Sequence, residues 1–217
     1  MLIWAIYKNA ACLFIIGAFL YFCSRLIKKQ ERVNKRCESQ MMRNTINSLK
    51  AKSNMSNSSI NELFAHSSLL ELPKKHILTS SFQNDKNFYF IEKGIARSYC
   101  VINDKELTSW FSTEGDIVFS TNNFYGNQQG YEYEVVQLLE NTVLYAVPIK
   151  DLEKLYQTNI EIANWSRILH QEAFIMNEKR LISRLYKSAE ERYIELLQTR
   201  PDLFQRVNLG YIASFLG

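Results

Sequence analysis

Hydrophobic positions change spacing several times along this chain. Residues 1–24, MLIWAIYKNAACLFIIGAFLYFCS, are almost continuously apolar, broken by Lys8 and Asn9. Residues 50–59, KAKSNMSNSS, are polar and have the composition of a linker. Ile60, Leu63, Phe64, Leu69 and Leu70 then fall at partly helical spacing, which stops before Pro73. From residue 75 to 147 short aromatic and β-branched runs (76–78, 88–91, 95–102, 107–111, 117–119, 133–139, 143–147) alternate with polar turns. Gly94, Gly115, Gly126 and Gly130 fall between runs, and Asn103-Asp104-Lys105 has the chemistry of a hairpin turn. Many short strands without an intervening helix predict an antiparallel sandwich or barrel.

After residue 148 the spacing becomes helical. Pro148 opens a helix with Asp151 and Glu153 near its positive dipole end. Ile162, Trp165, Leu169, Ala173 and Met176 step by three or four, while Ile168, Ile175 and Ile182 recur every seven. Two apolar stripes on one helix imply two partners, the chain's own β-domain and a second copy of itself. A single buried helix satisfies the same periodicity. Ser188 followed by Glu191 is a capping box, which starts a further helix.

Charge separates the chain into unlike parts. Residues 24–52 carry nine Lys or Arg against Glu31 and Glu38, whereas residues 53–217 sum to −4. The basic excess is therefore local, and no domain-wide nucleic-acid surface is expected. It flanks the apolar N-terminal run. The uncharged residues 10–23 would span about 21 Å as a helix, short of the ~30 Å hydrocarbon core, and residues 1–7 complete the length if Lys8 snorkels. One reading is thus a signal anchor over residues 1–24, with residues 25–52 on anionic lipid at the cytoplasmic face of the inner membrane. Tyr21-Phe22-Cys23 does not suit a cleavage site. The other reading is a start near Met41 and a soluble cytoplasmic protein.

Catalytic chemistry finds little support. Cys12, Cys23, Cys37 and Cys100 form no C-x-x-C pair and have no histidine at ligand spacing, so no metal site is expected. His66, His76 and His170 stand apart from any triad signature, and no Gly-rich phosphate loop is present. The chain is read as a non-enzyme without a resident cofactor.

Three segments in fixed order carry a resemblance: Phe90-Ile-Glu-Lys-Gly-Ile-Ala-Arg, Trp110-Phe-Ser-Thr-Glu-Gly-Asp-Ile-Val and Leu138-Leu-Glu-Asn-Thr-Val-Leu-Tyr-Ala-Val. Together with Arg200-Pro-Asp-Leu-Phe-Gln-Arg-Val and Ile212-Ala-Ser-Phe-Leu-Gly they resemble the Crp/Fnr transcription regulators, in the form common in Bacteroidetes, over residues 60–217. The resemblance implies an α+β architecture: a cyclic-nucleotide-binding-like jelly roll over 60–148, helices including a dimerisation helix over 149–187, and a helix-turn-helix domain from 188 that stops within the motif at 217. Residues 1–24 and 25–59 precede it as apolar helix and basic linker. The expected product is a longer native protein or a broken gene product, since the helix that would read base edges is missing.

The same resemblance implies an effector pocket at Phe119, Ser120, Thr121, Gly130 and Tyr131, closed by Asn177 and Glu178 from the long helix. Ser120 stands where the family places a glutamate for the ribose, and Gly130-Tyr131 where it places an arginine and a serine for the phosphate. A buried phosphodiester needs a cation or several N–H donors, so cyclic AMP is not expected to bind in the usual manner. A retuned pocket and a ligand-free structural roll both remain open. The dimer helix would use Trp165, Ile168, Leu169, Ile175, Met176 and Ile182, giving a homodimer. Arg200, Arg206, Tyr211 and Ser214 would lie near DNA, given a chain that extends past Gly217, with both arginines solvated surface charges by default. The alternative function is a membrane-tethered sensing or interaction module without DNA binding.

Overall fold

A computed structural model describes residues 42–80, 85–119 and 134–217. The chain divides into two units, residues 1–43 and 44–217, and the second carries the fold that follows. The predicted apolar span over 1–24 lies outside the described residues. Among the described residues no helix is long and apolar enough to cross a membrane.

Two four-stranded antiparallel sheets form a jelly-roll-like sandwich. The strands are β1 (Ser68–Leu72), β2 (Ile77–Thr79), β3 (Asn87–Lys93), β4 (Ala96–Ile102), β5 (Lys105–Ser112), β6 (Ile117–Val118), β7 (Glu134–Leu138) and β8 (Thr142–Pro148). One sheet runs β1-β8-β3-β6 and the other β2-β7-β4-β5. Strand alternation explains the core. On β3, Tyr89 and Ile91 point between the sheets and join Leu78, Ala96, Val118, Val136, Leu138, Leu144 and Ala146. Phe88 and Phe90 point the other way, and both are fully buried beneath a helix rather than facing water. Strand β3 is thus covered on both faces, which is why its sequence reads as an unbroken apolar run.

The β4–β5 hairpin pairs Ile102 with Lys105, and Asn103 and Asp104 between them sit at φ 51° and 61°. This two-residue turn with both φ positive matches the right-handed strand twist, and Asn and Asp tolerate it. Gly94, between β3 and β4, sits at φ +115°, and a Cβ there would meet Thr142 Oγ1 at 2.4 Å.

Two expectations change. Residues 60–72 are not one helical stretch: a short helix ends at Leu63, and Ser68–Leu72 is strand β1, in register with β8 from Ser68↔Ala146 to Leu72↔Thr142. Hydrogen bonding to the open edge of β8, with Leu70 and Leu72 packed on the core, outweighs the weak local helical spacing. Residues 43–53, within the predicted basic linker, form helix α1 (Arg43–Ser53), followed by α2 (Asn57–Leu63). The Glu92 carboxylate accepts from the backbone N–H groups of Asn44 (2.9 Å) and Thr45 (3.0 Å), placing an anion at the N-terminus of α1. Leu49 and Met55 are buried, so this polar sequence is anchored by a few well-placed contacts.

Helix α3 (Ile149–Thr158) leads into α4 (Ile160–Tyr186), 27 residues or about 40 Å. Asn159 caps α4, its side-chain oxygen accepting from Glu161 N (3.0 Å) and Ile162 N (3.2 Å) while its amide donates to Ser59 Oγ (3.0 Å) and Glu62 Oε2 (2.7 Å). One side chain therefore fixes the start of the long helix to α2. Three short helices follow: α5 (Ala189–Thr199), begun by the predicted Ser188–Glu191 capping box, α6 (Pro201–Arg206) and α7 (Leu209–Leu216). They pack a second apolar cluster, Leu203, Val207 and Ile212, against Ile95, Phe111 and Leu139 of the sandwich.

Candidate functional site

The outer face of the β2-β7-β4-β5 sheet carries an unusual set of side chains for a strand surface. On β4, Arg97 and Tyr99 point outward, opposite Phe111 and Thr108 of β5, because a bulge between Ser98 and Tyr99 shifts the register there. Helix α7 lies across this face. Phe215 packs on Phe111 with ring centroids 5.4 Å apart, and Ser214 Oγ accepts from Thr108 N (3.0 Å) while donating to Glu106 O (2.6 Å).

Arg97 lies beneath α7 with none of its surface exposed. Its guanidinium is held between two rings, 4.2 Å from the Tyr99 centroid and 3.7 Å from that of Tyr211. One terminal nitrogen, Nη2, donates to Glu106 Oε2; among the described residues Nε and Nη1 have no acceptor. The Thr108 hydroxyl is likewise buried without a partner among the described residues. Burial, followed by the Glu106 charge, raises the Tyr99 hydroxyl pKa, and the Arg97 charge partly offsets both.

A second set of polar contacts rims the same interface. Arg206 on α6 grips two sandwich loops at once: it donates to Glu114 at 2.8 and 2.9 Å and to Glu140 at 2.7 and 3.0 Å. Burial alone would raise the Glu114 carboxyl, but Arg206 and the Gly94 N–H hold it down at about 2. The two carboxylates push the Arg206 guanidinium pKa further up, so it stays a cation. Arg180 on α4 donates to Thr108 O, Ser109 O and Phe215 O, tying the long helix to both β5 and the C-terminal end of α7. Burial, with Arg184 adding like charge, lowers its pKa to about 10.

The predicted site residues divide between this interface and elsewhere. Arg206, Tyr211 and Ser214 are brought together on the sandwich, and Arg200 joins them through Thr113 Oγ1 at 3.2 Å and an ion pair with Asp202. Neither arginine is the solvated surface charge that was the default expectation. Of the expected pocket, Phe119 stacks on Phe88 at 5.2 Å, on the α4 side of β3, whereas Ser120, Thr121, Gly130 and Tyr131 lie outside the described residues. Asn177 and Glu178 stand on the exposed second half of α4. Trp165 is buried in the chain's own sandwich, where it stacks on Phe90 at 5.7 Å. Ile168 and Leu169 are half-buried, while Ile175, Met176 and Ile182 are exposed.

Sequence reading missed Arg97, Thr108, Glu114, Glu140 and Arg180, and on α4 it missed Phe174, Leu181, Leu185 and Tyr186, all exposed. A signal for Arg97 was present: a lone charge among the apolar and aromatic residues of a predicted strand needs a partner on the face it occupies. Among the described residues no group of three or more His, Cys, Asp or Glu is placed to hold a metal ion.

The chain order of sandwich, long helix and short helices packed back on the sandwich has counterparts among solved structures. A Crp/Fnr-family transcriptional regulator from Eubacterium rectale superposes with a TM-score of 0.61 at 14% identity, over 76% of this chain and 78% of that one. The fold is that of the Crp/Fnr regulators. The catabolite activator protein of Thermus thermophilus matches with a TM-score of 0.53 at 14% identity, over 70% of this chain and 72% of that one. CLP of Xanthomonas campestris, a global regulator responsive to c-di-GMP, matches with 0.54 at 14% identity, over 66% and 71%. No family model matches the sequence, and no curated protein matches it at a significant level. Within the Crp/Fnr-like fold, the interface built on Arg97 and Arg206 lies between the sandwich and the helices that follow the long helix.

Proposed function

We propose that this protein is a Crp/Fnr-like transcription regulator in which the sandwich senses an effector, α4 pairs two copies, and α5–α7 open a helix-turn-helix DNA-binding domain. The observation that supports it best is α4 itself. Its first half is buried on the sandwich through Ile162 and Trp165, while its second half leaves Phe174, Ile175, Leu181, Ile182 and Leu185 exposed. A stripe of that size on a monomer marks an interaction site, and the spacing of seven between Phe174 and Leu181, and between Ile175 and Ile182, suits a second identical helix. A two-fold dimer would present two readers to half-sites about one helical turn, ~34 Å, apart.

The effector would act by population shift, changing how the sandwich grips α4 and the helices beyond it. With Ser120 at the expected ribose position and Gly130-Tyr131 at the expected phosphate position, the pocket lacks the charges for cyclic AMP. Calorimetry with cyclic AMP is expected to show no binding. The DNA role is tested on a chain extended past Gly217 through the second helix of the motif, by selecting bound duplexes from a random pool across a salt series. Enrichment of a two-fold symmetric site, with affinity falling steeply with salt, supports the reading; equal retention of all sequences would sink it.

A further inference from the structure

The contacts beneath α7 oppose one another. Ser214, Arg180 and Arg206 satisfy backbone carbonyls, a backbone N–H and two carboxylates, and all of them lose partners if α6 and α7 lift away. Arg97 and Thr108 behave differently. Docking of α7 keeps a fully buried guanidinium with two unpaired donor nitrogens and a buried unpaired hydroxyl under the helix. Contact with two aromatic rings recovers part of what burial of a cation costs, but ring faces offer no acceptor to Nε and Nη1. Once α7 lifts, water reaches all three groups.

We infer that α7 is held on its own sandwich by a reversible latch, in which Arg206, Arg180 and Ser214 hold the helix down while the buried Arg97 and Thr108 favour its release. Interfaces built this way switch between two discrete arrangements, since the holding bonds are made or lost together and the released state gains hydration at the same groups. In the released state Arg97, flanked by Tyr99 and Glu106, becomes a surface cation, and the Phe111 ring loses its cover from Phe215. The inference extends the regulator reading by naming what keeps the putting-down of α7 conditional, yet it rests only on the contacts just described. Its test needs no DNA, so its failure would leave the DNA-reading proposal standing.

Hydrogen exchange of the α7 amides, residues 209–216, measures the opening in the intact chain. Arg206→Ala is expected to speed that exchange about tenfold or more, as the holding side predicts. Arg97→Met and Thr108→Val, which replace unpaired polar groups by apolar ones of similar shape, are expected to slow it by about threefold to tenfold. Amides of β3 and β8, read in the same experiment, report on the sandwich itself. If those strands also exchange faster in Arg97→Met, that variant has damaged the fold and Thr108→Val decides alone. Faster or unchanged α7 exchange in Thr108→Val, or in an Arg97→Met protein whose β3 and β8 remain protected, would overturn the latch.

Discussion

Arg206 and Glu114, one on a short C-terminal helix and the other in the loop after β5, meet through two parallel hydrogen bonds of 2.8 and 2.9 Å. The same guanidinium holds Glu140 just as closely, so one side chain joins α6 to two separate loops of the sandwich. Only the planar fork of arginine can serve two carboxylates in this way. Arg206→Ala should lower stability by about 1–2 kcal/mol, a value reduced from that of a buried pair because the partners are partly solvated. Arg206→Lys should recover only part of the loss. Urea unfolding of the three proteins checks both.

Acid should loosen the same contact. Glu114 is held at about 2 against an ordinary value of 4.5, so its contribution is complete above pH 4.5 and is lost as the pH falls towards 2. Between pH 7 and 5 this pair should be indifferent to pH. Glu114→Gln should be less stable than the parent at neutral pH, and the difference should shrink as the pH drops through that window. Stability measured as a function of pH for the pair of proteins decides it.

Trp165 has 1% of its surface exposed and is packed on Phe88 and Phe90. Trp165→Ala should cost about 3–5 kcal/mol, the range for deleting a buried aromatic side chain. The denaturant midpoint should fall while the slope of the transition is retained.

Gly94 is required for two separable reasons, its φ of +115° and the 2.4 Å approach of any Cβ to Thr142 Oγ1. Gly94→Ala should destabilise by about 2 kcal/mol or more. Adding Thr142→Ala should relieve the clash but not the backbone strain, leaving a partial rescue in thermal unfolding.

Ile175 and Ile182 are 39% and 47% exposed on the second half of α4. Replacing both with Asp should leave the circular dichroism of the chain intact and convert a dimer to a monomer in sedimentation equilibrium. A parent protein that sediments as a monomer at all concentrations would remove α4 as a pairing element.

Much of the fold was legible residue by residue. The runs at 88–91, 95–102, 107–111 and 143–147 became β3, β4, β5 and β8, and Asn103-Asp104 became the predicted turn. The capping box at Ser188 and Glu191 formed as read. The candidate interface was less so. Arg206 and Ser214 stood out only through a family resemblance, and the carboxylates that take up Arg206 lie in loops that no local pattern marks. Strand β1 was missed because five residues with weak alternation take their state from the edge of β8.

Periodicity and turn chemistry act within a window of a few residues, and that range settled the runs that became β3, β4, β5 and β8, the Asn103-Asp104 turn, and the helix starts at Pro148 and Ser188. The tertiary structure alone decided that α7 lies across β4 and β5, that Arg97 is sealed between Tyr99 and Tyr211, and that Glu114 and Glu140 converge on Arg206. Those contacts join residues far apart in the chain. They depend on the twist of the sheet, a one-residue bulge in β5 and the angle at which α4 leaves the sandwich, none of which is carried by the spacing of neighbouring residues.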